Sequence, residues 1–287
     1  MHFKSFLIFS AGLIIPCSLV AETQTSEDPV QHECERISDK LASVSYQECM
    51  DLKLEPGDGH SVKDAPVLIK EYPPLLDRRA PLGRVLLLGG THGDEYSSVS
   101  IVFKWMSILD QHHSGLFHWH IVPLLNPDGL LQKNSQRGNA NGVDLNRNFP
   151  TPDWEKESER YWIEKTHRDP RRYPGESAHS EPEIQWLVKE IERFKPDVIV
   201  TIHAPYGVVD YDGPPDGPYK LGRLYLGLLG TYPGSLGRYA GIDKQISVVT
   251  VELPYAGIMP TPDETYNIWR DLINWLTKHL PIDTYPD

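Results

Sequence analysis

Basic residues are in short supply in this 287-residue chain, where 28 Lys and Arg face 40 Asp and Glu, for a formal net charge of −12 and an isoelectric point near 5.4. Duplex nucleic acid is bound largely by Lys and Arg that neutralise phosphates, so that class of partner is excluded. An anionic substrate would need a local cationic site. Long apolar runs are also lacking. The longest, Phe6 to Ile15, falls short of the roughly 20 residues of a spanning helix, which excludes a multi-span membrane protein. Repeats and low-complexity tracts are absent, and 39% hydrophobic with 24% charged residues is ordinary globular composition, so collagen, coiled coil and disorder are excluded as well. Cysteine is rare, with three in all, and none of them looks catalytic.

The chain begins with one cation, Lys4, then the apolar run to Ile15, then small residues near Ser18 and Ala21. That is the order of a secretory signal, with cleavage expected after Ala21. Export predicts a periplasmic or secreted protein with no stable membrane insertion after signal removal. Pro16 before Cys17 argues against lipoprotein processing. Loss of residues 1–21 leaves Cys34 and Cys49, an even number in an oxidising compartment, and a disulfide between them is expected. Ile37, Leu41 and Val44 follow helical spacing. A straight helix would hold the two sulfurs roughly 20 Å apart, so the helix must end near Ser43 to Ser45.

Beyond residue 60 the pattern alternates apolar strands with amphipathic helices. Strands are expected at Val67–Tyr72, Arg84–Gly89, His118–Leu125, Asp197–His203 and Ser247–Leu253. Helices are expected at Tyr96–Leu109, Glu181–Phe194, Leu221–Leu229 and Asp263–Leu280. This interleaving predicts an α/β fold with a mixed, mostly parallel central sheet and helices on both faces. The simplest division is a signal at 1–21, an N-terminal appendage at 22–59 with the Cys34–Cys49 disulfide, and one catalytic domain at 60–287. The charged, aromatic segment Asp153 to Glu176 reads as a solvated loop, or as a rim whose Arg168, Arg171 and Arg172 meet an anionic substrate.

The chemistry-bearing residues gather where strands end, which is where ligands bind in open α/β sheets. After the second expected strand comes Thr91-His92-Gly93-Asp94-Glu95 at the entry to a helix, and after the fourth comes His203. Two imidazoles and a carboxylate with an open fourth position make a hydrolytic rather than a structural zinc site. Glu252 sits inside the apolar run Val248–Leu253. An unpaired carboxylate buried there is costly, and the task that fits is general base toward a metal-activated water. Between the ligand strands, turn formers surround Arg137 and Arg147, and Arg147 suits a two-pronged grip on a carboxylate.

Together these residues resemble the M14 zinc carboxypeptidases. The resemblance rests on His92-x-x-Glu95, Asn126-Pro127-Asp128-Gly129, Gly142-Val143-Asp144-Leu145-Asn146-Arg147-Asn148-Phe149, Ser180-Glu181-Pro182-Glu183, His203 and Glu252, and spans roughly residues 60 to 280. It implies one Zn2+ per chain held by His92, Glu95 and His203, with Glu252 activating water and then protonating the leaving amine. It also implies that Arg137 polarises the scissile carbonyl, that Asn146 and Arg147 clamp the terminal carboxylate, and that Asp144 orients a ligand imidazole. Ser180 reads as a helix N-cap, with Glu183 completing a capping box. The family's mobile tyrosine is missing at its usual spacing before Gly234-Ser235, and the nearest one is Tyr232.

Within the family, the segment Pro233–Gly241 and the strand to Leu253-Pro254 look most like bacterial murein peptide amidases, which cut between γ-D-glutamate and meso-diaminopimelate. A muropeptide is the expected substrate. Leu236 would wall the pocket of the released residue, and Arg238 is the nearest cation for its second carboxylate. The rival readings are a carboxypeptidase on ordinary L-peptides, an N-acyl amino acid deacylase and a non-catalytic wall-binding protein.

Overall fold

A computed structural model describes residues 1–2, 28–214 and 216–280. The expected leader at 1–21 therefore lies, apart from residues 1–2, outside the described residues. Among the described residues no helix is long and apolar enough to cross a membrane.

Nine strands form one sheet: β1 (Glu55–His60), β2 (Pro66–Tyr72), β3 (Arg84–Leu88), β4 (His118–Val122), β5 (Val198–His203), β6 (Val208–Asp212), β7 (Lys220–Leu221), β8 (Leu224–Leu226) and β9 (Ser247–Glu252). The spatial order is β1-β2-β4-β3-β5-β9-β6-β8-β7. The central four, β4-β3-β5-β9, are parallel, whereas β2 and β6 flank them antiparallel. The long helices are α3 (Tyr96–His112), α6 (Pro182–Phe194) and α7 (Pro262–His279); α1 (Pro29–Lys40) and α2 (Tyr46–Asp51) precede them in the chain, and α4 (Pro127–Leu131) and α5 (Trp154–Glu164) lie between α3 and α6.

The two-residue period of the strands divides their side chains between two cores. Val85, Leu87, Val200, Ile202, Val249 and Val251 pack with α3 and α7, whose Trp105 and Trp269 rings lie 5.3 Å apart. Leu86, Leu88, Ile199 and Val248 face the other way, against Ile184, Leu187 and Ile191 of α6. Residues 29–54 join the first core: Cys34, Ile37, Val44 and Cys49 are almost fully buried in it, and the Cys34–Cys49 disulfide is present. Helix α1 ends at Lys40, before Ser43, and Ser45 caps α2 by accepting from the Glu48 N–H at 3.1 Å. That early stop lets the chain turn back so the cysteines meet.

Three local expectations fail. Leu221–Leu229 is no helix: Gly222, with φ +57°, turns the chain into the β7–β8 hairpin. Leu221 and Leu224, register partners across the hairpin, point inward, while Tyr225 and Leu226 are exposed. Asp153 to Glu176 is not all loop, because Trp154, Ser158 and Tyr161 recur at helical spacing and form α5. Ser180 caps nothing. Glu181 is the extended residue before α6, Pro182 opens the helix, and no side chain caps it. Ser180 Oγ instead donates to Glu181 Oε1 at 2.6 Å, and Glu183 accepts from Asn139 Nδ2 at 3.1 Å.

Candidate metal and peptidase site

The β3–α3 turn carries His92 and Glu95, and its sharpness depends on Gly93. A Cβ there would come within 2.2 Å of the Gly129 backbone, so only glycine allows the turn to press against α4. From that side Asn126 Nδ2 donates to the Arg137 carbonyl at 3.2 Å, which fixes the loop that carries the next two site residues. His203 arrives from the end of β5, beside Glu252 at the end of β9, since the two are register partners.

These elements bring His92, Glu95 and His203 together, all buried, with ligand atoms within 4.8 Å of one another. His92 Nδ1 lies 2.9 Å from Glu95 Oε1, and His203 Nδ1 lies 3.0 Å from His92 Nδ1 and 3.1 Å from Glu95 Oε2. Two ring nitrogens and a carboxylate aimed at one point are a donor set suited to a divalent cation. On the far side of the ring, His92 Nε2 is 3.0 Å from Asp144 Oδ1, which leaves Nδ1 free to present a lone pair. Arg137 spans the two acids, donating from Nη1 to Glu95 Oε1 at 3.1 Å and from Nε to Asp144 Oδ2 at 3.0 Å.

The electrostatics follow from that packing. Burial opposes the charge on Glu95, but the two imidazoles outweigh it and hold the carboxyl well below its ordinary range. Asp144 behaves likewise, with Arg137 and His92 prevailing over burial. Glu252 goes the other way: burial pushes it up to about 6 against the pull of His203. It accepts one long contact, from the Tyr206 N–H at 3.5 Å.

A cavity of about 400 Å³ opens beside this cluster, lined by Arg137, Asn146, Arg147, Leu236 and Glu252. Asp144 Oδ1 accepts from the Asn146 N–H at 3.0 Å, and Asn146 Oδ1 accepts from the Leu236 N–H at 2.8 Å. Arg147 is buried, its guanidinium 4.3 Å from the centre of the Tyr232 ring, and its Nε has no partner. Helix α5 supports this stack through Tyr161, 5.4 Å from Tyr232, and through Trp154 Nε1, which donates to the Arg147 carbonyl at 2.8 Å.

One expected residue is not in the cavity. Arg238 pairs with Asp153 and Asp243, each at 3.4 Å, because the π-type turn Gly237–Asp243 carries it outward. The cations at the mouth are Arg171, ion-paired to Asp94, and Arg172, so the charged segment does form a rim. Asp210, Asp212 and Thr201 also line the cavity. Sequence reasoning missed these three, although alternation along β5 and β6 points them to the same face as His203.

A trio that could hold a metal ion beside a buried carboxylate, at the carboxyl ends of parallel strands and facing a cavity with a buried arginine, points to the metallocarboxypeptidase class of hydrolases. Comparison with known proteins is specific. Residues 76–213 match the zinc carboxypeptidase family model. The murein peptide amidase A of Escherichia coli K12 is 33% identical over 201 residues, covering 67% of this chain and 80% of that protein. Its Vibrio campbellii counterpart is 32% identical over 203 residues, covering 68% and 77%. Among solved structures, the murein-tripeptide amidase of Escherichia coli O157 aligns with a TM-score of 0.53 at 26% identity, covering 82% of this chain and 93% of that one. The carboxypeptidase A of Helicoverpa armigera shares the fold, with a TM-score of 0.62 at 16% identity over 90% and 82%. The chain belongs to the zinc carboxypeptidase family and is a peptidase.

Proposed function

We propose that the protein is an exported zinc carboxypeptidase that trims peptidoglycan stem peptides at the bond between γ-D-glutamate and meso-diaminopimelate. The observation that carries the peptidase chemistry is the meeting of His92, Glu95 and His203 with Glu252 at the head of a cavity that also holds Arg147. Likeness to murein peptide amidases over most of their length supports the substrate class. The apolar leader pattern of residues 1–21 supports export, which would bring the enzyme to the wall.

In this mechanism Asn146 and Arg147 hold the terminal carboxylate of the substrate, so the scissile carbonyl falls between Arg137 and the metal group. His92, Glu95 and His203 would hold a zinc ion, which when bound would supply Lewis acidity toward the carbonyl and the attacking water. Glu252 takes the proton of the attacking water on its carboxylate and passes it to the leaving amine nitrogen. Arg137 turns a guanidinium N–H to the developing oxyanion. Asp144 keeps the His92 ring oriented and its Nε2 proton in place.

The test is mass spectrometry of products after the zinc-loaded protein meets L-Ala-γ-D-Glu-meso-diaminopimelate beside an all-L tripeptide. Release of free diaminopimelate from the first alone is expected. Hydrolysis of the all-L peptide alone would reject the wall substrate, and hydrolysis of N-acyl amino acids without peptide cleavage would reject the peptidase reading.

A further inference from the structure

Arg137 reaches Glu95 and Asp144 from a stretch with little structure of its own. Residues 132–137 lie in no helix or strand, and an irregular segment of that kind opens more readily than the sheet beside it. Both of its ends are fastened. At the far end the Arg137 carbonyl accepts from the Gly93 N–H at 3.2 Å as well as from Asn126. At the near end α4 stops, and the carbonyls there have no partner within the helix. Their partner comes from α1.

Lys40, the last residue of α1, donates from Nζ to the Gln132 carbonyl at 2.7 Å and to the Lys133 carbonyl at 3.1 Å. The same nitrogen stands 5.6 Å from the centre of the Tyr96 ring. Tyr96 follows Glu95 and opens α3. Its hydroxyl donates to Ser135 Oγ at 2.9 Å, and Ser135 Oγ donates in turn to the Leu130 carbonyl at 2.6 Å. An ammonium has three N–H donors, and two carbonyls with one aromatic face use them all. A surface lysine ordinarily keeps its head in water; this one spends it on carbonyls 92 and 93 residues away in the chain. Helix α1 can hold it there because Ile37 and Cys34, three and six residues earlier on the same face, are almost fully buried, and the disulfide pins Cys34 to Cys49.

We propose that Lys40 is a positioning residue for Arg137. By fixing the Gln132–Lys133 end of the segment, it sets where the guanidinium stands when the substrate carbonyl becomes an oxyanion. Its bonds to the carbonyls are charge-assisted and so stronger than neutral ones, and its contact with Tyr96 ties the segment to the helix that starts beside Glu95. This inference rests on the peptidase reading and gives residues 29–54 a part in turnover. The effect falls on the transition state rather than on substrate binding, since in that reading Asn146 and Arg147 hold the terminal carboxylate.

The test compares zinc-loaded wild type, Lys40→Met, Lys40→Arg, Arg137→Ala and the Lys40→Met, Arg137→Ala double variant on the two tripeptides above. Lys40→Met keeps the stem and removes the donors. It should lower kcat by about tenfold with KM and zinc content little changed, because a small displacement of a catalytic group costs at least that much. Lys40→Arg still offers donors to both carbonyls and should recover most of the loss. In the Arg137→Ala background Lys40→Met should cost less than about twofold, since a residue that acts through Arg137 then has nothing to position. Hydrogen exchange supplies a readout without substrate or zinc. The Gln136 N–H, which donates to the Gly129 carbonyl at 2.9 Å, should exchange about tenfold faster in Lys40→Met while the amides of β5 hold their protection. An equal kcat loss with and without Arg137, or unaltered exchange at Gln136, would overturn the proposal. Wild type that hydrolyses neither peptide would reject the peptidase reading, whereas active wild type with an unchanged Lys40→Met kcat would reject this inference alone.

Discussion

Glu252 stands among Val248, Val249 and Val251 in a sheet interior, 6% exposed, and its carboxyl is held near 6 by burial rather than by a partner. A group so placed is tuned for proton transfer near neutral pH. Glu252→Gln keeps shape and removes the base, so zinc should still bind while turnover falls below a few per cent, as checked by metal analysis alongside peptide hydrolysis. Asp144 acts at one remove. Asp144→Asn leaves His92 without its anionic partner and should weaken zinc by about 10- to 100-fold in chelator competition. Arg147 is buried over Tyr232 with a free Nε, and its planar fork cannot be copied by lysine. Arg147→Lys should raise KM by at least tenfold with kcat less affected; an unchanged KM would remove it from the clamp.

At the level of elements, the site depends on loops that are tied down by other polar side chains. Glu181 and Glu183 at the start of α6 hold Asn139 at 2.7 and 3.1 Å, and Asn139 in turn accepts from the backbone N–H of Val143, next to Asp144. The Ser180-Glu181-Pro182-Glu183 motif is thus an anchor for the loop that carries Asp144, Asn146 and Arg147, not a helix cap. Burial pushes Glu183 up to about 7. A carboxyl raised on folding is protonated in the native state and ionised in the unfolded one between pH 4.5 and 7. Its contribution to stability is therefore present below that window and lost as pH rises through it. Chemical denaturation should show a stability decline of order 2 kcal/mol across this range, and Glu183→Gln should flatten it. Helix α5 has the same supporting part: through Trp154 and Tyr161 it steadies Arg147 and Tyr232, which the sequence left inside a charged loop.

For the molecule as a whole, two cores lie on the opposite faces of one sheet, and the candidate metal ligands His92, Glu95 and His203 gather at the carboxyl ends of β3 and β5, beside Glu252 at the end of β9. The Cys34–Cys49 disulfide staples residues 29–54 into the core beside α3, closing a short loop. A Cys34→Ser, Cys49→Ser double variant should lose about 3 kcal/mol of stability in the chain-entropy account, measured by denaturant unfolding, with the metal site intact in the folded fraction. Legible in the sequence by itself were the parallel centre of the sheet, the disulfide pair and the candidate residues His92, Glu95, His203 and Glu252 at strand ends. Those follow from strand periodicity, cysteine number and residue types at strand ends, all local properties. Tertiary structure alone decided the rest: that Arg238 points outward to Asp153 and Asp243, that Leu221–Leu229 turns into a hairpin, and that Asp210, Asp212 and Thr201 floor the cavity. The physical reason is that a side chain's surroundings are set by strands paired across tens of residues, and no window along the chain contains that register.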